Sequence, residues 1–175
     1  MGQKPITFIR QVLACTTNPS LITASKFPPD VTERAELLLS ACGGESAGSY
    51  SESSGIELVR KDVAGYITRR DGGIPSNPEN IILSAGASEA IRNVLKLFIS
   101  REGGKKAGIM IPIPQYPLYS ASIVEFGLGL VPYYLDEKNN WSLDIDELER
   151  AYKESLQKFN TRVLCVINPG NPTGQ

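Results

Sequence analysis

The chain has 175 residues, of which 41% are hydrophobic and 21% charged, and its formal net charge is −1. That length can bury the core of one ordinary domain, and the near-neutral balance gives no electrostatic case for nucleic acid or a membrane surface as partner. The absence of histidine removes Ser-His and Cys-His nucleophile pairs, histidine metal sites and the usual near-neutral proton shuttle.

The three cysteines, Cys15, Cys42 and Cys165, lie far apart and match no metal spacing. Each sits in an apolar context, as a small packing residue does. An odd count without a secretion signal favours a reducing compartment. The most apolar stretch, Gly108 to Leu118, is broken by Pro112, Pro114 and Pro117, so no transmembrane helix is expected. Met1-Gly2 does not complete an N-myristoylation motif, because position six is Ile6 and not Ser or Thr. Any chemistry must use lysine, tyrosine, carboxylates or a borrowed cofactor.

In chain order, residues 5–14 read as a short helix started by Pro5. A loop with Asn18-Pro19 and Pro28-Pro29 follows. The next helix opens at Asp30, with Glu33 completing a capping-box-like pair, and presents Val31, Ala35, Leu38, Leu39 and Cys42 on one face before Gly43-Gly44 ends it. Ser46 to Gly55 is small, polar and flexible by composition, with Tyr50 as its single aromatic. A helix after it aligns Ile56, Val59, Val63, Tyr66 and Ile67 and stops at Arg70-Asp71-Gly72-Gly73.

From there strands and helices alternate. Ile81–Leu83 reads as a strand, 88–100 as a helix, Gly108–Ile113 as a strand, and Tyr116–Phe126 as a helix with Pro117 in its first turn. Leu128–Leu135 reads as a strand. A helix follows, opened by Asp144 with Glu147 as capping box and Leu143 as staple to Leu148, and then a strand over Arg162–Ile167. This rhythm predicts an α/β fold with a mainly parallel sheet and right-handed crossover helices. Only three crossover helices are available and the last strand has none after it, so the chain reads as the front part of a larger domain.

Three stretches meet the C-terminal edge of such a sheet, where open α/β sheets hold ligands. In Ser84-Ala85-Gly86-Ala87-Ser88, small residues leave the amides of Ala87 and Ser88 open at a helix N-terminus, a phosphate-binding arrangement, although Ser88 also fits a plain N-cap. In Pro112 to Tyr119 the prolines fix where Tyr116 points, either onto a flat ligand ring or into the core. The last stretch, Asn168-Pro169-Gly170-Asn171-Pro172-Thr173-Gly174, is a stiff turn in which Asn171 offers an amide donor. A phosphate cradle, an aromatic plate and an amide donor together suit a flat, phosphorylated aromatic cofactor such as pyridoxal phosphate.

On these residues, and on Gly43-Gly44, Ser49-Tyr50-Ser51, Arg69 to Pro75, Gly86-Ala87-Ser88, Ile111 to Tyr119 and Leu164 to Gln175, the chain resembles the class I/II aminotransferases of the type I pyridoxal-phosphate fold. The resemblance covers nearly the whole chain. Within the family it resembles members that exchange the amino group between L-alanine and 2-oxoglutarate, giving pyruvate and L-glutamate. It implies pyridoxal 5'-phosphate as cofactor, small amino-acid and 2-oxo-acid substrates, and a homodimer, with no nucleic acid or membrane partner. It also implies that Ala87 and Ser88 bind the phosphate, that Tyr116 stacks on the pyridine ring, that Asn171 donates to the ring's phenolic oxygen, and that Tyr50 reaches the neighbouring subunit's cofactor. The implied architecture is a helical segment over 1–45 followed by a partial cofactor-binding domain over 46–175, an incomplete part of the family's large domain.

The Schiff-base lysine, the aspartate facing the pyridine nitrogen and the arginine gripping the substrate carboxylate follow the Asn-Pro-Thr-Gly loop in this family. They are therefore expected beyond Gln175, and no catalytic residue is expected within the chain. Lys26, Lys96 and Lys153 do not match the lysine motif. The 175 residues alone are thus expected to be inactive. Two alternatives stand beside this reading: a non-catalytic truncated product that docks on full-length subunits, and a lyase-type member of the same fold. The family has cytosolic and mitochondrial members, so the expected location is cytoplasmic, or mitochondrial if a targeting segment precedes Met1.

Overall fold

A computed structural model of the chain describes residue 2 and residues 4–175; Met1, on which the N-myristoylation motif begins, lies outside the described residues. The chain divides into two compact units, Met1–Ser84 and Ala85–Gln175.

The first unit is helical, with α1 over Thr7–Thr17, α2 over Leu21–Ala24, α3 over Pro29–Ser40 and α4 over Glu57–Arg70. Val12 and Cys15 of α1 pack against Val31 and Ala35 of α3, and Leu21, Ile22 and Phe27 from the intervening segment close that core. The α1 helix begins two residues after Pro5 and runs on to Thr17. The α3 helix starts one residue before Asp30. Its N-cap is Pro28, which has no side chain to offer the helix amides, so the Asp30–Glu33 capping box does not form. Instead Pro29 occupies the first turn, where its missing N–H costs nothing.

The segment Ile81–Leu83, expected as a strand, pairs with no strand. Its backbone ties are Ile81 N–H to the Pro78 carbonyl at 3.2 Å, within a turn, and Leu83 N–H to the Ser54 carbonyl at 2.9 Å, and Ile82 is exposed. A strand is defined by its ladder, and an apolar run without a partner is only extended chain.

The second unit is the mainly parallel α/β sheet. It contains α5 (Ala87–Lys96), β1 (Arg101–Glu102), β2 (Lys105–Ile113), α6 (Leu118–Glu125), β3 (Gly129–Tyr134), α7 (Ile145–Ser155) and β4 (Phe159–Leu164). The β2 strand is central: β3 and β4 both pair with it in parallel, and β1 folds back antiparallel onto Lys105 and Lys106. That small hairpin turns on Gly103-Gly104, both at positive φ (59° and 80°), a conformation a two-residue hairpin turn demands.

Alternation along β2 sends side chains to two cores. Ala107, Ile109 and Ile111 face α5 and α6, meeting Leu95 and Ile123. Met110 faces α7, with Val131, Tyr133 and Ala151. The β4 strand keeps this two-sided pattern only by a bulge. Gly108 pairs with Thr161 but Ile109 pairs with Val163, so Arg162 is the extra residue. The bulge lets Phe159 join the α7 face and Val163 the opposite one.

Phe159 explains two glycines. A Cβ on Gly129 would lie 2.4 Å from its ring, and a Cβ on Gly108 would lie 3.0 Å from its Cβ and 2.7 Å from the Thr161 hydroxyl. Glycine in these two neighbouring strands opens the space that β4 fills.

At the start of α7, Asp144 is the N-cap and accepts from the Asp146 amide at 2.9 Å. Glu147 does not return the bond. Its carboxylate accepts from the Tyr134 amide at 3.0 Å and from Arg150 at 2.6 Å, so it ties α7 to β3 and the expected capping box is replaced by a link between elements. These bonds, the one from Arg150 most of all, hold the Glu147 carboxyl below its ordinary pKa.

Candidate cofactor site at the sheet edge

Because β2 and β4 are adjacent and parallel, the turn after β2 and the loop after β4 leave the sheet at the same edge. Tyr116 lies on the first and Asn171 on the second. Arg92 of α5 bonds Ser122 and Glu125 of α6, and both Arg92 and Lys96 lie over the Phe126 ring, at 4.9 and 5.6 Å, so the two helices pack together. Ala87 and Ser88 begin α5, and Tyr116 lies just before α6.

The α5 helix is capped by Gly86 at φ 97°, with no side-chain cap bond, and its first internal bond runs from the Ala90 amide to the Gly86 carbonyl. Ser88 lies inside the first turn and is not the N-cap. The amides of Ala87, Ser88 and Glu89 precede the internal ladder, which leaves them directed at the helix mouth. Nothing lies within 4 Å of the position a Gly86 Cβ would take.

Tyr116 is 47% exposed, and the neighbouring Tyr119 takes the place against the core instead. The turn between them is held by the Gln115 amide on the Ser120 hydroxyl at 2.9 Å and by the Tyr119 amide on the Tyr116 carbonyl at 3.4 Å. Asn171 is exposed, in a loop closed by Gly174 N–H to the Gly170 carbonyl at 2.7 Å. The bonds Asn168–Pro169 and Asn171–Pro172 are cis. A cavity of about 320 Å³ lies behind this loop, lined by Tyr133, Leu135, Trp141, Ile167 and Thr173, and not by Asn171, Tyr116 or Ser88.

Two features escaped the sequence. Tyr133, 1% exposed, donates its hydroxyl to the Cys165 carbonyl at 2.7 Å, where β4 gives way to the Asn171 loop. Burial pushes its pKa up to about 12. Burial likewise raises Tyr119, with a smaller contribution from neighbouring Cys165.

In the first unit Arg60, 3% exposed, bonds the Gly55 and Pro78 carbonyls and the carboxylates of Glu52 and Glu79. The polar segment that composition marks as flexible is thus pinned at its base, and Tyr50 stands fully exposed two residues before Glu52. An arginine on a helix otherwise read by its apolar positions was the available signal.

The open amides, the half-exposed ring and the exposed Asn171 amide fit a flat phosphorylated ring. The family model for aminotransferase class I and II matches residues 13–175, and the chain belongs to that family. Pyridoxal phosphate is the cofactor of the family. Human alanine aminotransferase 1 is 59% identical over 175 residues, which is all of this chain and 35% of that protein. The inactive alanine aminotransferase of Saccharomyces cerevisiae is 47% identical over 183 residues, covering 99% of this chain and 35% of the yeast protein. The alanine aminotransferase of Pyrococcus furiosus shares the fold, with a TM-score of 0.62 at 23% identity over 98% of this chain and 46% of that one. The chain spans about a third of the length of the curated relatives it matches. Among the described residues no helix is long and apolar enough to cross a membrane, and no cluster of metal-ligating side chains occurs.

Proposed function

We propose that these residues form part of a subunit that exchanges the amino group between L-alanine and 2-oxoglutarate, giving pyruvate and L-glutamate. The observation that carries this reading is the 59% identity to human alanine aminotransferase 1 over all 175 residues of the chain. Pyridoxal phosphate, when bound, supplies the electron sink that makes the amino acid's Cα–H acidic.

Around it the chain's own residues have separate tasks. The Ala87 and Ser88 amides and the Ser88 hydroxyl hold the phosphate at the α5 N-terminus, where the helix dipole favours negative charge. Tyr116 covers one face of the ring and keeps water from it. Asn171 donates to the ring's phenolic oxygen and so favours the ionised oxygen. Tyr50 serves the neighbouring subunit in a homodimer. No lysine of this chain has the family's catalytic place, so the 175 residues alone do not transaminate.

A yeast relative named inactive matches the same stretch. Likeness over these residues therefore does not separate an active subunit from one kept for its contacts, and activity must be measured. Full-length protein given 2-oxoglutarate and a panel of amino acids should form glutamate with the highest kcat/KM on L-alanine. Preference for a bulky or acidic donor, or elimination without glutamate formation as in a lyase, would refute the proposal.

A further inference from the structure

Each residue in a parallel ladder donates its N–H to one neighbour and receives at its carbonyl from the residue two places further along that strand. Cys165, the first residue past β4, donates its amide to the Met110 carbonyl of β2 at 2.9 Å. The matching donor for its own carbonyl would be the amide of residue 112. Residue 112 is Pro112, which has none. The β2–β4 ladder must therefore end here, and the Cys165 carbonyl would be left without its partner.

The strand on the other side of β2 supplies one. Tyr133 is the β3 partner of Pro112, and its hydroxyl donates to the Cys165 carbonyl at 2.7 Å. The side chain is almost wholly buried against Met110, Val131 and Ala151, so the hydroxyl is held in place.

We propose that Tyr133 is a positioning residue: its hydroxyl substitutes for the amide that Pro112 lacks and sets the exit of the loop that carries Asn171. This rests on the reading of Asn171 as the donor to the cofactor's phenolic oxygen. Pro112 ends the ladder, which frees the chain to leave the sheet plane. Tyr133 ensures that it leaves in one direction. Loss of the hydroxyl lets the Cys165 carbonyl seek another donor, and Asn171, six residues on, loses its fixed aim. Donation to the phenolic oxygen is strongest when that oxygen carries full charge, so weaker donation raises the pH midpoint of the bound cofactor's absorbance.

The test uses full-length holoprotein loaded with pyridoxal phosphate. Asn171→Ala should raise the absorbance midpoint, and Tyr133→Phe should raise it in the same direction by about half a pH unit, roughly a threefold change in proton affinity. Hydrogen exchange in the cofactor-free protein should quicken over residues 163–171 in Tyr133→Phe. The double variant Tyr133→Phe, Pro112→Ala returns a backbone amide to β2. It should restore both the midpoint and the protection, and it should fold even where Tyr133→Phe alone does not.

A shift with Asn171→Ala but none with Tyr133→Phe overturns the positioning role and leaves the Asn171 reading standing. A shift with neither variant overturns the Asn171 reading and the proposal with it. Failure of Pro112→Ala to restore the midpoint and the protection overturns the claim that the hydroxyl replaces the missing amide.

Discussion

Substituting alanine at Gly108 and at Gly129 separates two kinds of crowding at the centre of the sheet. At Gly129 the three atoms nearest the new methyl all belong to the Phe159 ring, at 2.4 to 2.8 Å. At Gly108 it would meet the Thr161 hydroxyl at 2.7 Å, the Phe159 Cβ at 3.0 Å and the Thr161 Cα at 3.1 Å. A ring can turn or be shortened, but backbone can move only by opening β2 from β4. Overpacking a tight core costs about 1–3 kcal/mol, so Gly129→Ala belongs near the lower end and Gly108→Ala near the upper.

Hydrogen exchange at the β4 amides reads local opening directly, and a loss of about 2 kcal/mol should speed it roughly thirtyfold. Adding Phe159→Leu should return most of the protection to Gly129→Ala and little to Gly108→Ala, because Thr161 remains in the way. Equal effects of the two alanines, or equal rescue, would refute the close packing of β4 over both glycines.

Other perturbations test other joints. Arg60→Lys removes the fork that spans Glu52, Gly55, Pro78 and Glu79, so proteolysis and exchange within 46–55 should accelerate, whereas Arg69→Lys, at an exposed position on the same helix, should leave that segment unchanged. Asp144→Ala removes the α7 N-cap and should cost about 1 kcal/mol, visible as faster exchange in the first turn of that helix.

Tyr133 titrates near 12 in the fold, against an ordinary 10. Its neutral form is therefore favoured by folding. That stabilisation is complete below pH 10, is lost as pH rises towards 12, and amounts to about 2–3 kcal/mol. Tyr133→Phe should flatten the alkaline limb of the stability curve over that window.

The broad order of elements was legible because hydrophobic periodicity and turn residues act locally. Gly103-Gly104 carried the signal for the hairpin of β1 onto β2, yet a strand of two residues lies below the length that alternation can reveal. The start of β4 was missed because Asn160 and Thr161 look like loop, and only pairing with β2 makes them strand. Its end was placed too late because the reason for stopping is Pro112, on another strand, and no window of sequence around Cys165 contains it. Glu147 fits a capping box in sequence, but in the fold it is claimed by Arg150 and the Tyr134 amide. Ser88, by contrast, sits where a cap was weighed, and Gly86 takes that place. In each case the local signal was sound and a tertiary partner decided which of its uses was realised.

The central claim is amino-group exchange from L-alanine to 2-oxoglutarate, and following the nitrogen tests it most directly. Full-length protein with pyridoxal phosphate, 15N-labelled L-alanine and 2-oxoglutarate should yield labelled glutamate, with one pyruvate formed for each label transferred. Labelled ammonium, or unlabelled glutamate alongside intact alanine, would contradict the account.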